Sequence, residues 1–448
     1  LDIGAYPYLV DHDGSDWYVK TSGSDVSGAG TSGNPFASIQ AALNATKGNP
    51  ELYETQTINV EAGIYYENIE WPVLVTSDIK LLGAGIDSSI IDGDGIGRVI
   101  NMDGFGNGIN NDQLVGRDTE ISGFTIQHGN GFDQGGGGIY IEWENPTLSN
   151  LDIRDNQTVN EGGGIFLSWA GPLIDNVIIR DNEALNGGGI TAGSCINNAT
   201  LDNVIITGNT ATGEGGGLNF SYGELTINNT EISKNESGDS GGGINAYSNS
   251  GYLQLDGITI ADNTAGSGGG GIHLGSDSEY FVTSITNSII VNNTGESQLN
   301  LGDNVVIDIS YSNISDGQDG VIWENSEGLF YENNIDVDPR FVDAESSGDY
   351  NLQEVSHCID AGTSDTDGDG VDDITDFNGY APDMGAYESE FTAIASCMDP
   401  LAPNFNPEAW VDDGSCNYEG SNYALEFDGV DDYVDLPDNL SIVNGDGT

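Results

Sequence analysis

Positive charge is the scarcest property of this chain. Lys and Arg together number 9 against 73 Asp and Glu, with 4 His, giving a formal net charge of −64. So little basic surface excludes nucleic acid and anionic membranes as partners, because nothing is available to neutralise phosphate. It suits surroundings rich in salt or divalent cations, where screening and binding relieve self-repulsion. Sulfur is scarce as well, with 4 Cys. Cys397 and Cys416 bracket a short Asp-, Asn- and Pro-rich segment, which reads as a small disulfide loop formed in an oxidising compartment. Cys195 and Cys358 read as buried small hydrophobes. Runs of 18 or more apolar residues are absent, so no membrane-spanning helix is expected. The opening at Leu1 has no charged-then-apolar leader, so any signal peptide is expected outside this sequence.

A charge this large raises the question of disorder. Against it, 37% of residues are hydrophobic, and Ile and Val recur at fixed intervals. Gly is abundant, with 66 residues. Runs of Gly followed by an apolar residue end at Ile139, Ile165, Ile190, Leu218, Ile244 and Ile272, spaced 26, 25, 28, 26 and 28 apart. A second column keeps the same beat through Ile126, Ile153, Ile179, Ile206, Ile232, Ile260 and Ile290. Three residues beyond most of these stands Asn: Asn156, Asn182, Asn209, Asn235, Asn263 and Asn293.

Around each Ile the pattern alternates, as in Leu151-Asp152-Ile153-Arg154, which predicts two short strands per repeat and no amphipathic helix between them. Helical repeats of 33 to 47 residues and the Leu/Asn consensus of leucine-rich repeats are thereby excluded. Each repeat reads as one coil of a solenoid whose strands pair in parallel with the coils above and below. Gly at the corners accepts φ > 0 and leaves room for the next coil. An inward Asn bonds stranded backbone and the Asn one coil away, so the column forms a ladder.

These repeats resemble those of the pectate-lyase-like superfamily of parallel β-helices. The entry segment Trp17-Tyr18-Val19-Lys20 with Gly33-Asn34-Pro35-Phe36-Ala37-Ser38-Ile39-Gln40-Ala41-Ala42-Leu43 is similar to that superfamily's own, as is Ile58-Asn59-Val60-Glu61-Ala62-Gly63-Ile64-Tyr65-Tyr66-Glu67. The resemblance spans roughly residues 15 to 390 and implies an all-β fold: a right-handed parallel β-helix solenoid with an N-terminal capping helix and a small C-terminal disulfide/calcium region. Phe36, Ile39 and Leu43 fit an amphipathic turn and a half after Pro35, suited to capping the solenoid's open end.

Five segments are expected. Residues 1–14 form a linker or the tail of a preceding module, because Asp2-Ile3-Gly4-Ala5-Tyr6 recurs as Asp383-Met384-Gly385-Ala386-Tyr387, a phrase that closes β-helix domains in look-alike proteins. Tandem solenoids would follow. Residues 15–335 form the solenoid, 336–392 a closing segment, and 393–420 a disulfide module resembling one found in large secreted bacterial proteins. Residues 421–448, with Tyr423-Ala424-Leu425-Glu426-Phe427-Asp428-Gly429-Val430-Asp431-Asp432-Tyr433-Val434, resemble the start of a laminin-G-like domain or form an exposed tail.

The sharpest chemical motif is Asp365-Thr366-Asp367-Gly368-Asp369-Gly370-Val371-Asp372-Asp373-Ile374-Thr375-Asp376. Acids at loop positions 1, 3, 5, 9 and 12, with Gly at 6, match EF-hand spacing and predict Ca²⁺. Asp365, Asp367 and Asp369 would converge on the ion, Val371 would give its carbonyl, Asp373 a water-mediated contact and Asp376 the closing carboxylate. Asp376 departs from the Glu usual at position 12.

A catalytic set does not emerge. Lyases of the resembling superfamily need a base near a uronate; here the repeats offer Arg154, Arg180 and Lys234, and the two Arg read as an outward ion-pair ladder. The paired Asp, Gly-His-Gly and Arg-x-Lys of the related hydrolases are missing, and His128 and His273 read as solvated surface residues. Alternation places Tyr140 and Phe166 outward on adjacent coils with Trp143 and Trp169 in the same register, a possible glycan face. The expected function is therefore a non-enzymatic, calcium-stiffened extracellular spacer or adhesive module. Its partners would be further copies of itself, neighbouring extracellular modules or polysaccharide, with a filament as one outcome. The alternatives are a polysaccharide lyase or glycoside hydrolase, and a glycan-binding module.

Overall fold

The computed structural model describes residues 14–46, 55–71, 78–104, 115–132, 135–248, 251–277, 280–323, 328–407 and 409–418. Both the opening copy of the Asp-Ile-Gly-Ala-Tyr phrase and the laminin-G-like tail lie outside the described residues. Two compact units meet at Thr392/Ala393.

The first unit is a parallel β-solenoid. One ladder starts with Asp16–Val19 on Gln56–Val60 and ends with Val305–Ser310 on Gly328–Glu332. A second stacks short strands such as Ile205–Thr207, Glu231–Ser233 and Thr259–Ala261. A third stacks Ile139–Glu142, Ile165–Ala170 and Ile190–Asp202, then continues through Leu218–Phe220 and Ile244–Tyr247. The coils thus feed three ladders where two strands per coil were expected, and four of them add a two-residue strand to a further ladder: Glu183–Ala184, Thr210–Ala211, Glu236–Ser237 and Thr264–Ala265. The missed bend is an Asn column: Asn150, Asn176, Asn203, Asn229 and Asn287 have φ between 46° and 53°, a conformation Asn tolerates better than most side chains. That bend splits the apparent single strand Leu173–Arg180 between the first two ladders.

The two Ile columns line one core. Ile126, Ile153, Ile179, Ile206, Ile232, Ile260 and Ile290 are fully buried, as are Ile139, Ile165, Ile190, Leu218, Ile244 and Ile272. Each buried side chain of this size contributes about 1.5–3 kcal/mol. They align rung above rung, Ile153 on Ile179 and Ile165 on Ile190.

The Asn ladder is continuous. Nδ2 of Asn156, Asn182, Asn209 and Asn235 each donates to Oδ1 of the next Asn at 3.0 Å. The same amide groups bond the coil before, for example Asn209 to the Ile179 carbonyl at 2.9 Å. Gln298 ends the series by accepting from Asn293 at 3.0 Å. At the glycine corner the two expected roles fall on different residues. Gly215 has φ +67°, whereas a Cβ on Gly216 would lie 2.4 Å from the Gly242 carbonyl oxygen of the next coil.

The N-terminal end is closed by its own chain. Tyr18 N–H donates to the Gly30 carbonyl at 2.9 Å, Lys20 N–H to Phe36 at 2.9 Å, and Phe36 N–H to Tyr18 at 3.0 Å. A helix, Ile39–Thr46, then buries Ile39, Ala42 and Leu43. It begins later than the Pro35 start suggested, because Phe36 is held extended beside Val19. Glu67 accepts from the first helical amides, Ile39 at 2.8 Å and Gln40 at 2.9 Å, where an acid complements orphan N–H groups and the helix dipole.

After Ile335 the chain turns back along the coil's flank. A hairpin pairs Phe341–Asp343 with Asp349–Leu352. The Asp383–Tyr387 phrase docks on the coil: Gly385 N–H bonds the Asn287 carbonyl at 2.8 Å, Ala386 N–H the Thr259 hydroxyl at 2.9 Å, and the Tyr387 hydroxyl Glu231 at 2.6 Å. The second unit contains the Cys397–Cys416 disulfide and a short pairing of Ala395–Ser396 with Val411–Asp412. Cys195 and Cys358 are free and buried.

Candidate functional site: the acidic loop and the aromatic stack

Residues 363–376 leave the closing segment as a loop whose stem is fastened to the coil. Asn287 Oδ1 accepts from Thr363 N–H at 2.7 Å, and its Nδ2 donates to the Thr363 carbonyl and to Asp256, each at 3.0 Å. Gly368 and Gly370 bend the loop at φ +75° and +88°. These positive values are what the two Gly supply; other residues there would be strained.

Carboxylates organise the loop's backbone. Asp365 accepts from the N–H groups of Gly368, Asp369 and Gly370 at 2.8, 3.1 and 2.9 Å. Asp373 accepts from Thr366, N–H at 2.9 Å and hydroxyl at 2.7 Å, and these bonds hold its carboxyl below the usual range. Three acids, Asp365, Asp367 and Asp373, each bring an oxygen within 4.8 Å of the others. Oxygens bound at about 2.3–2.6 Å to one Ca²⁺ can stand about 5 Å apart across it, so this all-oxygen set fits a hard cation.

Of the residues expected to hold the ion, Asp365, Asp367 and Asp373 are the ones whose carboxylates converge. Asp369 stays outside, its Oδ1 taking the Val371 N–H at 2.8 Å. Asp376 also stays outside, for a visible reason: the Ser364 carbonyl accepts from Asp373 and Ile374 N–H at 2.7 and 3.0 Å, closing the loop before position 12 is reached. The Val371 side chain is exposed.

The expected glycan face is rearranged. Tyr140 does stack on Phe166, with centroids 5.4 Å apart, but it is only 4% exposed. The Arg98 guanidinium lies 4.5 Å over its ring and its hydroxyl bonds Glu142. Alternation correctly puts Tyr140 on the outside of the strand; neighbouring side chains then cover it. Trp143 and Trp169 stack at 5.1 Å with their planes 5° apart, and Tyr222 tilts against Trp169 at 6.2 Å. Each indole therefore covers one face of the other, and Trp169 remains 40% exposed.

The basic residues of the repeats are engaged. Arg180 bonds Asp152 at 3.0 and 3.1 Å and Asp181 at 2.9 Å, while Arg154 reaches Asp152, Asp87 and Asp155, the ion-pair ladder the sequence indicated. Lys234 donates to the Ala344 carbonyl at 2.8 Å. His128 is exposed, as expected, but does not lack a partner, and His273 departs from the solvated reading. His128 pairs with the buried Asp92 at 2.8 Å, its left-handed backbone (φ +54°) aiming the ring there. His273 is partly buried, and desolvation lowers its pKa.

Sequence reasoning overlooked Glu231. It is 5% exposed, bonds Ser233 and Tyr387 at 2.6 Å each, and burial raises its carboxyl above the usual range. The only available signal was an acid one residue before the inward Ile232, where Thr or Ile stands in the following coils.

No family model matches this chain, and no curated protein matches it. A solved structure similar to it is the crystal structure of the pectate lyase Pel9A, at 14% identity and a TM-score of 0.49, covering 83% of this chain and 96% of that one.

Proposed function

We propose that this chain is a rigid extracellular structural module, a β-solenoid whose closing segment is stiffened by Ca²⁺ and which serves as a spacer or adhesive element of a surface protein. The carrying observation is the convergence of Asp365, Asp367 and Asp373 in a loop stapled to the coil through Asn287. A Ca²⁺ ion there would offset two of the three like charges and fix the loop against the flank. The Cys397–Cys416 disulfide supports an oxidising, extracellular setting. The closed N-terminal edge argues for contact with neighbouring modules through other surfaces, since adding a coil there would displace Gly30 and Phe36. In the lyase alternative, two of the candidate bases, Arg154 and Arg180, are held by Asp152; a hydrolase would use paired carboxylates instead.

Calorimetric titration with Ca²⁺ tests the reading. One ion should bind with Kd of about 10⁻⁴–10⁻³ M, as in other extracellular modules, and Asp365→Asn with Asp367→Asn should abolish it. Absence of binding to the intact chain would overturn the proposal.

A further inference from the structure

Between the outer face of the second ladder and the closing segment lies a cavity of about 240 Å³. The coil contributes Thr207, Glu231, Ser233 and Lys234; the closing segment contributes Asp349, Tyr350 and Tyr387. We infer that this cavity is a binding pocket for one small, neutral, hydroxyl-rich ligand, a single sugar ring or a polyol of that size.

Its chemistry selects that class by elimination. Glu231 forms a nearly buried wall, and each of its carboxylate oxygens holds one internal donor, from Ser233 and from Tyr387. A carboxylate oxygen has a further lone pair to offer. Asp349 supplies a second acceptor, and Lys234, with one of its three hydrogens spent on the Ala344 carbonyl, supplies donors. An anion would meet two carboxylates within a chain of net charge −64. An organic cation would meet the Lys234 ammonium, which already stands 5.8 Å over the Tyr350 ring. An apolar molecule would strip water from these groups without replacing their hydrogen bonds. Hydroxyl groups both donate and accept, so they satisfy both walls. The volume is below the 300–1,000 Å³ typical of drug-sized ligands, which limits the occupant to about one ring. The ligand would bridge coil and closing segment. The acidic loop contributes nothing to the walls, so this pocket and the metal reading stand or fall separately.

Titration of the intact chain, followed by NMR, would use galactose, xylose and glycerol as neutral probes, with glucuronate and ethylammonium as charged controls. At least one neutral probe should shift Tyr350 and Tyr387 signals with a millimolar Kd, about the −4 kcal/mol level, with or without chelator. The controls should be at least about tenfold weaker, and Asn351→Trp at the exposed rim should weaken the neutral probe about tenfold or more. Glu231→Gln is a second variant, but it also touches the Tyr387 contact, so the rim variant keeps the test independent of folding. Failure of all neutral probes to bind, equal binding of a charged control, or undiminished binding by Asn351→Trp would overturn the inference.

Discussion

The coil corner and the acidic loop solve one problem with different side chains. Both are bends whose backbone N–H groups have left the strand ladder. In the coil, Asn209 holds backbone through an amide that donates and accepts at once, to Ile179 and from Asn182. In the loop, Asp365 collects three N–H groups through a carboxylate that only accepts. A neutral amide can repeat along the axis indefinitely, each acceptor meeting the next donor. Carboxylates cannot. Gathering Asp365, Asp367 and Asp373 accumulates negative charge that, on the proposed reading, a cation would relieve. On that reading the coil is complete in itself and the loop is not.

The comparison breaks most sharply in the middle of the ladder. Asn209→Ala removes the bonds from its side chain to Ile179 and Asn235 and leaves the Asn182 backbone N–H and one of its Nδ2 hydrogens without an acceptor. Denaturant unfolding should register a loss of about 4 kcal/mol, unaffected by Ca²⁺. A smaller loss, about 2–3 kcal/mol, is expected for Gly216→Ala, whose new methyl would meet the Gly242 and Glu236 backbone. Unchanged stability there would mean that the corner yields.

The loop's stem offers a pH-dependent contrast. Burial pushes the Asp256 carboxyl from 3.8 up to about 6, with the Asp373 charge adding to it. A raised folded-state value stabilises at low pH, so this contribution is complete below about pH 4 and is lost as pH rises through about 6. Asp256→Asn should keep the Asn287 bond and gain about 2 kcal/mol at pH 7 with little change at pH 4. A flat difference across that range would contradict the assignment. The neutral amides of the ladder should give no such dependence.

Much of this architecture was readable from residue spacing because a solenoid writes each structural role as a column. Ile153, Asn182 and Gly216 are each one member of a series, and repetition makes their roles visible. The third strand escaped notice because Asn176 bends the chain without interrupting the apolar pattern of Leu173–Arg180. Where a feature occurs once, spacing says little. Tyr140 sits on the outside as alternation requires, yet Arg98, from another rung, covers it. Glu231 gains its burial from Tyr387, 156 positions away. The loop was legible as a motif but not in its closure, which the Ser364 carbonyl sets.

The claim that the loop needs a cation while the coil does not is tested most directly by amide hydrogen exchange with and without Ca²⁺. The account predicts slower exchange at Gly368, Asp369 and Gly370 when Ca²⁺ is added, abolished by Asp367→Asn, with no change at the amides of Asn182, Asn209 and Asn235. Loop amides that exchange at the same rate in Ca²⁺ and in chelator would contradict it.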